Sequence, residues 1–181
     1  IKIAILGTGS WATGLARVLR DNGHRVMLYG IDQGEIDDIN LRHCNYKYFR
    51  DVILEDDIIA TSSLEEALKD ASYILITIPT QYIRETLVKV KKLLNHKVTI
   101  INASKGFDMN TNMRISDTIR DILSSEDINP VVSLIGPSHA EEVVERILTA
   151  VCSVSLNEKY AKDVQELFSN RYFRVYTSTD E

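Results

Sequence analysis

The sequence predicts a doubly wound α/β domain whose parallel sheet runs in an order near 3-2-1-4-5-6, with two extra edge strands at its C-terminal end. Three observations lead there. Short apolar runs alternate with longer segments of 3.6-residue periodicity, the pattern of parallel strands separated by covering helices. The strongest runs, Tyr73-Ile74-Leu75-Ile76-Thr77-Ile78 and Val98-Thr99-Ile100-Ile101, lack polar alternation, so both of their faces should be covered. A glycine-bearing turn, Gly7-Thr8-Gly9, separates the first strand from the first helix.

Taken in order, Lys2–Leu6 reads as the first strand and Ser10 to Asp21 as a helix that ends at Asn22-Gly23, a C-cap signal. Arg25–Tyr29 is the second strand. A long loop precedes the third, Ile58–Thr61. Ser62 or Ser63, followed three residues later by Glu65 or Glu66, forms a capping box for a helix running through Ala71. The strand Tyr73–Ile78, the helix Thr80–Leu94, the strand Val98–Asn102, the helix Arg114–Leu123 and the strand Val131–Ile135 complete two successive βαβαβ halves. Past Ile135 the order changes: Ala150–Ser155 and Phe173–Tyr176 read as strands flanking a helix from Glu158 to Phe168. These attach to one sheet edge, where an antiparallel pairing is an option.

Composition bounds the class. The chain of 181 residues, 44% of them hydrophobic, fits one domain over 1–181 with a sizeable core. Lys and Arg number 21 against 26 Asp and Glu, a net charge of −5, so the overall field repels nucleic acid and anionic membrane. No run reaches the ~20 apolar residues of a membrane helix. Two cysteines, Cys44 and Cys152, and no charged-then-apolar leader point to a reducing, cytoplasmic setting. The chain starts at Ile1, already inside a strand, and stops at Glu181 without a cap or turn signal, so it is expected to be a piece of something longer.

Gly7-Thr8-Gly9-Ser10-Trp11-Ala12 is a G-x-G-x-x-A fingerprint in the strand-to-helix position that defines a Rossmann-like dinucleotide site. Gly7 allows the tight turn, Gly9 lets backbone approach a pyrophosphate, and Ala12 permits close helix–strand packing. The helix N-terminus adds unpaired N–H groups and a partial positive charge. A glycine turn used only for packing, or for another nucleoside cofactor, is the competing reading. Asp32, 20 residues after Ala12, stands where an acid holds a ribose 2′-hydroxyl, and equally where a helix N-cap belongs. The uncharged Ile31 beside it favours NAD over NADP, although Arg42 or Lys47 could supply a charge for a 2′-phosphate.

Ligands in such sheets lie outside the strand carboxyl ends, which directs attention to Ile78-Pro79-Thr80, Asn102-Ala103-Ser104-Lys105-Gly106 and Gly136-Pro137-Ser138-His139-Ala140. Lys105 could meet an anionic or carbonyl substrate group or be a solvated lysine. Ser138 could bond a substrate oxygen or cap a helix from His139 to Arg146. Tyr46-Lys47-Tyr48-Phe49 could be core or could cover a bound cofactor. The four histidines show no metal-ligand spacing, and no metal site is expected.

With these loops in order, the chain resembles the NAD(P)-dependent glycerol-3-phosphate dehydrogenases, most closely the bacterial type. The resemblance covers essentially the whole chain. It rests on residues 7–16, Asn22-Gly23-His24, Tyr29-Gly30-Ile31-Asp32, Asn45-Tyr46-Lys47-Tyr48, Ala60-Thr61-Ser62-Ser63-Leu64, Ile78-Pro79-Thr80, Ser104-Lys105-Gly106, residues 136–143 and Phe173-Arg174-Val175-Tyr176. It implies reversible reduction of dihydroxyacetone phosphate to glycerol 3-phosphate by NAD(P)H, feeding glycerolipid synthesis. By it Ser10, Trp11 and Ala140 would contact the cofactor, Lys105 both cofactor and substrate, and Gly136 and Ser138 the substrate.

Ala12 and Gly14 exchange the family's usual Gly and Ala, Ile31 replaces a frequent Arg or His, Phe49-Arg50 a common Leu-Pro, and His139 a common Phe. The family's proton-transferring lysine belongs to an all-helical second domain expected after residue 181. This piece therefore holds no catalytic residue and should be inactive alone; a homodimer is left open for the full-length enzyme. The rival readings are another 3-hydroxyacid or ketopantoate-type reductase domain, a non-catalytic nucleotide-sensing module, and a methyltransferase-like nucleoside binder.

Overall fold

The computed structural model describes residues 1–104, 109–136 and 139–180, with only the backbone of 109–113. In chain order the elements are β1 (Lys2–Leu6), α1 (Ser10–Asp21), β2 (Arg25–Tyr29), α2 (Gln33–Asp37) continued by a π turn (Asp38–Arg42), β3 (Ile59–Thr61), α3 (Leu64–Leu68), β4 (Tyr73–Ile76) and α4 (Thr80–Leu93). They continue with β5 (Thr99–Asn102), α5 (Met109–Ile122), β6 (Val132–Ile135), α6 (Ala140–Val144), β7 (Thr149–Val154), α7 (Glu158–Phe168) and β8 (Phe173–Ser178). One sheet of order β3-β2-β1-β4-β5-β6-β7-β8 contains every strand. β1 to β6 are mutually parallel. β7 lies antiparallel to β6, and β8 parallel to β7, so the last two strands run against the other six.

Period-2 alternation sends the residues of β1 to two different cores. Ile3 and Ile5 pack under α1, α6 and α7 with Leu15, Leu19, Val143 and Phe168. Ala4 and Leu6 pack under α3, α4 and α5 with Leu68, Leu87, Val90 and Ile119. All four are fully buried, which is why the strand sequences carry no polar alternation. Each buried leucine or isoleucine contributes about 1.5–3 kcal/mol.

The ends of α1 match the expected residues. Its C-terminus closes as a Schellman turn, with the Gly23 N–H donating to the Arg20 carbonyl at 3.0 Å and the His24 N–H to the Leu19 carbonyl at 3.1 Å. Gly23 takes φ +87, which a side chain would resist. The α3 cap is Ser63, whose hydroxyl accepts from the Glu66 N–H at 3.2 Å. The reciprocal arm differs from a capping box: the Glu66 carboxylate accepts from the Thr61 hydroxyl, 2.9 Å away, while Thr61 Oγ1 accepts from the Ser63 N–H at 3.0 Å.

Several boundaries depart from expectation. α3 stops at Leu68 instead of Ala71, because Asp70 turns to φ +60. β4 stops at Ile76, where the Thr77 N–H makes the last ladder bond to the Leu6 carbonyl at 3.1 Å and the Thr77 hydroxyl adds a second bond to it at 2.8 Å. α5 begins at Met109, five residues before the expected Arg114. α6 is confined to Ala140–Val144, since Arg146 adopts φ +62 just beyond it. α2 and its π turn occupy part of what reads as loop.

A charged clasp joins the beginning of the chain to its end. The Arg146 guanidinium donates to Asp21 at 2.9 and 3.2 Å and to Glu55 at 2.5 Å. The Arg17 Nε donates to Glu55 at 3.0 Å, and the Tyr172 hydroxyl to Asp21 at 2.5 Å. Burial pushes the Asp21 carboxyl up, but hydrogen bonds from Arg146 and Tyr172 outweigh it and hold the group below its usual value. Burial, together with that carboxylate, pushes the Tyr172 phenol up to about 12.

Candidate functional site

A cavity of about 720 Å³ opens at the carboxyl ends of β1, β2 and β4. The glycine turn forms its floor. Gly7, at φ +134, donates its N–H to the Tyr29 carbonyl at 2.8 Å, and a Cβ there would collide with Thr77 Oγ1. Gly7 is therefore required by the fold itself. Gly9 differs: its φ of −81 suits any residue, and within 4 Å a Cβ would meet only the Tyr48 hydroxyl oxygen, at 3.9 Å. The space above Gly9 belongs to the cavity. A missing side chain there serves whatever approaches from outside.

The Thr8 and Gly9 carbonyls of this turn are engaged within the protein. The Gly9 carbonyl accepts from the Thr13 N–H at 3.1 Å and the Thr13 hydroxyl at 2.7 Å. Asn45, buried in the loop before β3, donates through Nδ2 to the Thr8 carbonyl at 2.8 Å and to Thr13 Oγ1 at 2.9 Å. No side chain caps α1. The N–H groups of Ser10, Trp11 and Ala12, which have no intrahelical acceptor, stand at the cavity floor with the positive end of a 12-residue helix dipole. Such an end suits phosphate oxygens.

The walls come from three segments. Thr77, Ile78, Pro79 and Thr80 form one side, with Pro79 as the N-cap of α4 and Gln81, Tyr82, Glu85, Thr86 and Lys89 following along that helix. Tyr29, Gly30 and Ile31 leave β2 on the other side. A Cβ on Gly30 would lie 2.5 Å from Thr8 Cγ2, so the turn and the end of β2 interlock. Tyr48 closes over Gly9. The aromatic segment divides accordingly: Phe49 is core, Tyr48 lines the cavity and Tyr46 is exposed.

The positions singled out from sequence fall unevenly. Gly7, Gly9, Ser10, Trp11, Ala12 and Pro79 all line the cavity. Asp32 does not; its Oδ1 accepts from the Glu35 N–H at 3.2 Å and caps α2. The acid that lines the cavity on the β2 side is Glu35, which no sequence signal marked; Glu85 lines it from α4. Of the two cations considered for a 2′-phosphate, Arg42 pairs with Asp38 at 2.6 Å and Lys47 lies 5.5 Å from the centre of the Tyr48 ring.

Gly136 is buried against β7, where a Cβ would meet Val151 Cγ1 at 2.9 Å and the Ala150 carbonyl at 3.0 Å, so it has a packing reason of its own. Ala140 starts α6, and its carbonyl would lie 3.4 Å from a Cβ on Gly14 of α1. It does not line the cavity. That close approach also explains Gly14: α6 packs onto α1 there. Lys105 and Ser138 lie outside the described residues.

The uncapped helix end and the open position at Gly9 fit a pyrophosphate, and with the sheet order they define a Rossmann-type domain. The model of the NAD-dependent glycerol-3-phosphate dehydrogenase N-terminus matches residues 2–161, and the chain belongs to that family. A glycerol-3-phosphate dehydrogenase of the NAD(P)+ type from Streptococcus uberis is 48% identical over 99% of this chain and 53% of its own length. One from Streptococcus sanguinis is 45% identical over the same shares. The crystal structure of glycerol-3-phosphate dehydrogenase from Coxiella burnetii superimposes with a TM-score of 0.88 at 30% identity, covering 99% of this chain and 54% of that one. The chain thus spans about half the length of the curated relatives it matches. The family assignment sets aside the other-reductase and methyltransferase-like readings.

Proposed function

We propose that this chain is the cofactor-binding part, a single domain over 1–181, of a cytoplasmic oxidoreductase that reversibly reduces dihydroxyacetone phosphate to sn-glycerol 3-phosphate, with NAD(H) favoured over NADP(H). The observation that carries the reading is the cradle at Gly9: an open position above the turn, at an uncapped helix end, with the Thr8 and Gly9 carbonyls engaged elsewhere. The reaction and substrate come from the relatives. Their names join NAD(P)+ to glycerol 3-phosphate.

In this reading the N–H groups of Ser10, Trp11 and Ala12 hold the pyrophosphate. Glu35, in the first turn of α2, faces the adenine-side ribose, and Thr77 to Thr80 flank the opposite part of the nucleotide. The bound dinucleotide supplies the hydride. Lys105 would then sit beside substrate and cofactor, where an ammonium group steadies the charge developing on the carbonyl oxygen. Gly136 and Ser138 would border the phosphate-bearing substrate. The proton required at that oxygen has to come from a general acid, and the resemblance puts that lysine beyond residue 181. A general acid's loss costs about 10²–10⁴-fold, so the 181-residue chain should bind NADH without appreciable turnover.

The test uses Trp11, the single tryptophan of the chain, which lines the cavity and reports binding through its fluorescence. NADH titration of the 181-residue chain should be saturable, with no oxidation of NADH on adding dihydroxyacetone phosphate. In the full-length chain, dihydroxyacetone phosphate should drive NADH oxidation, and Lys105→Ala should abolish most of it. Absence of saturable binding, or ordinary turnover by the 181-residue chain, overturns the proposal.

A further inference from the structure

We infer that Glu35, positioned by Asp32, reads the adenine-side ribose and sets the preference of this site for NAD(H) over NADP(H). The inference rests on the nucleotide-binding reading above and assigns the residue that discriminates.

The acid expected to face the ribose is the one directly after β2, and that is Asp32. Its geometry assigns it other work. With φ −93 and ψ 107 it is the N-cap of α2: its Oδ1 accepts from the Glu35 N–H, and its carbonyl accepts from the Ile36 N–H at 3.1 Å. Capping fixes the first turn of α2, and that turn carries Glu35 into the cavity.

The Glu35 carboxylate is oriented from two sides. Its Oε2 accepts from the Thr8 hydroxyl at 3.0 Å, and Thr8 is itself buried and interlocked with Gly30. The Tyr48 hydroxyl lies beside it from across the turn, held in its protonated form by burial and by the Glu35 charge. A carboxylate offers about four acceptor positions, and two neighbouring hydroxyls leave capacity for two more donors. A ribose 2′,3′-diol supplies two O–H donors. A 2′-phosphate supplies none at that position and brings a charge of about −1.5 to −2 against the carboxylate.

No described cation lines the cavity at this end. Ile31 is apolar and 89% exposed. Arg42 is bound to Asp38. Lys47 lies beside the Tyr48 hydroxyl and outside the cavity lining. Lys89 is the one cation in the described lining, and Glu85 shares its helix face one turn earlier, so the pair adds no net charge.

The test titrates the 181-residue chain with NADH and NADPH through Trp11 fluorescence, with thermal unfolding measured in parallel. Wild type should bind NADH more tightly. Glu35→Gln is isosteric; it should weaken NADH by about tenfold, strengthen NADPH, and shrink the NADH:NADPH affinity ratio by tenfold or more. Glu35→Asp retracts the charge by one methylene; it should weaken NADH without any gain for NADPH. Asp32→Asn removes a charge but keeps a capable cap, and should leave the ratio within about threefold. A ratio unchanged by Glu35→Gln, or one that collapses in Asp32→Asn, overturns the inference. Preference of the wild type for NADPH overturns it alone, whereas affinity for neither nucleotide overturns the nucleotide-binding reading with it.

Discussion

Replacing each of the two turn glycines by alanine separates what the fold requires from what a ligand requires. Gly7 lies at φ +134, a conformation that costs a side chain about 1–3 kcal/mol. Its Cβ would also drive into Thr77 Oγ1, whose hydroxyl secures the Leu6 carbonyl, adding about 1–3 kcal/mol of overpacking. Gly7→Ala should therefore destabilise folding by about 2–6 kcal/mol. At Gly9 the backbone is ordinary and a Cβ meets only the Tyr48 hydroxyl at 3.9 Å, so Gly9→Ala should cost about 1 kcal/mol or less, the difference between glycine and alanine at an N-cap. If a pyrophosphate packs on that position, the same methyl group overpacks the complex by about 1–3 kcal/mol, a loss of about 5- to 100-fold in NADH affinity. Urea denaturation gives the first quantity and Trp11 fluorescence titration the second. Wild-type NADH affinity in Gly9→Ala would show that the phosphates do not rest there. Equal destabilisation by the two substitutions would show that the loop geometry is misread.

The clasp around Arg146 should be costly to open. Arg146→Ala strips hydrogen bonds from two largely buried carboxylates and should lower the unfolding free energy by about 2–3 kcal/mol, and Arg146→Gly, which relaxes φ +62, should recover about 1 kcal/mol of it; a loss below about 0.5 kcal/mol by urea titration would discount the clasp. Because the Asp21 carboxyl is held below its ordinary 3.8, its contribution is fully present above that value and disappears as pH falls through the lowered one. Unfolding measured between about pH 2 and 5 should thus show a shallower acid dependence in Asp21→Asn than in wild type. Asn45→Ala releases the Thr8 carbonyl and the Thr13 hydroxyl together; it should cost about 2 kcal/mol in stability and weaken NADH binding, and an unaltered affinity would mean the turn needs no such support.

Sequence pattern reveals features whose cause lies close by in the chain. The limits of α1 are readable because its buried face repeats every three to four residues and its exit carries Asn22-Gly23. α2 escapes detection because five residues, with Gly34 among them and only Ile36 buried, make no periodic face. The hydroxyl of Thr77 bonds the Leu6 carbonyl 71 residues away, a contact that no apolar run discloses. Glu35 looks like any solvated helix-start acid until Thr8, 27 residues earlier, is seen to bond it. The same holds for Asp21, Glu55, Arg146 and Tyr172. Each is an unremarkable charge or phenol in sequence, and only the sheet order brings them together.

That clasp gives the C-terminal edge of the sheet a part in the candidate site. Along α1, Gly14, Arg17 and Asp21 recur at helical spacing and face the same side. Gly14 admits Ala140 and Val143 of α6; Arg17 donates to the Val144 carbonyl at 2.6 Å; Asp21 receives Arg146 and Tyr172. Just beyond the helix, Asn22 donates to the Leu167 and Ser169 carbonyls at 3.0 and 3.3 Å and accepts from Asn170 at 2.9 Å. All of these partners lie after β6, in the segment that reads from sequence as an addition to a finished six-stranded sheet. They bind the body of the helix whose N-terminus forms the cavity floor. A helix gripped along more than two turns cannot slide or tilt without breaking these polar pairs. Its three unpaired N–H groups are therefore fixed in position before any ligand arrives, so little ordering is left for binding to supply. The strands added against the direction of the other six thus bear on recognition at the opposite end of α1, although none of their residues lines the cavity.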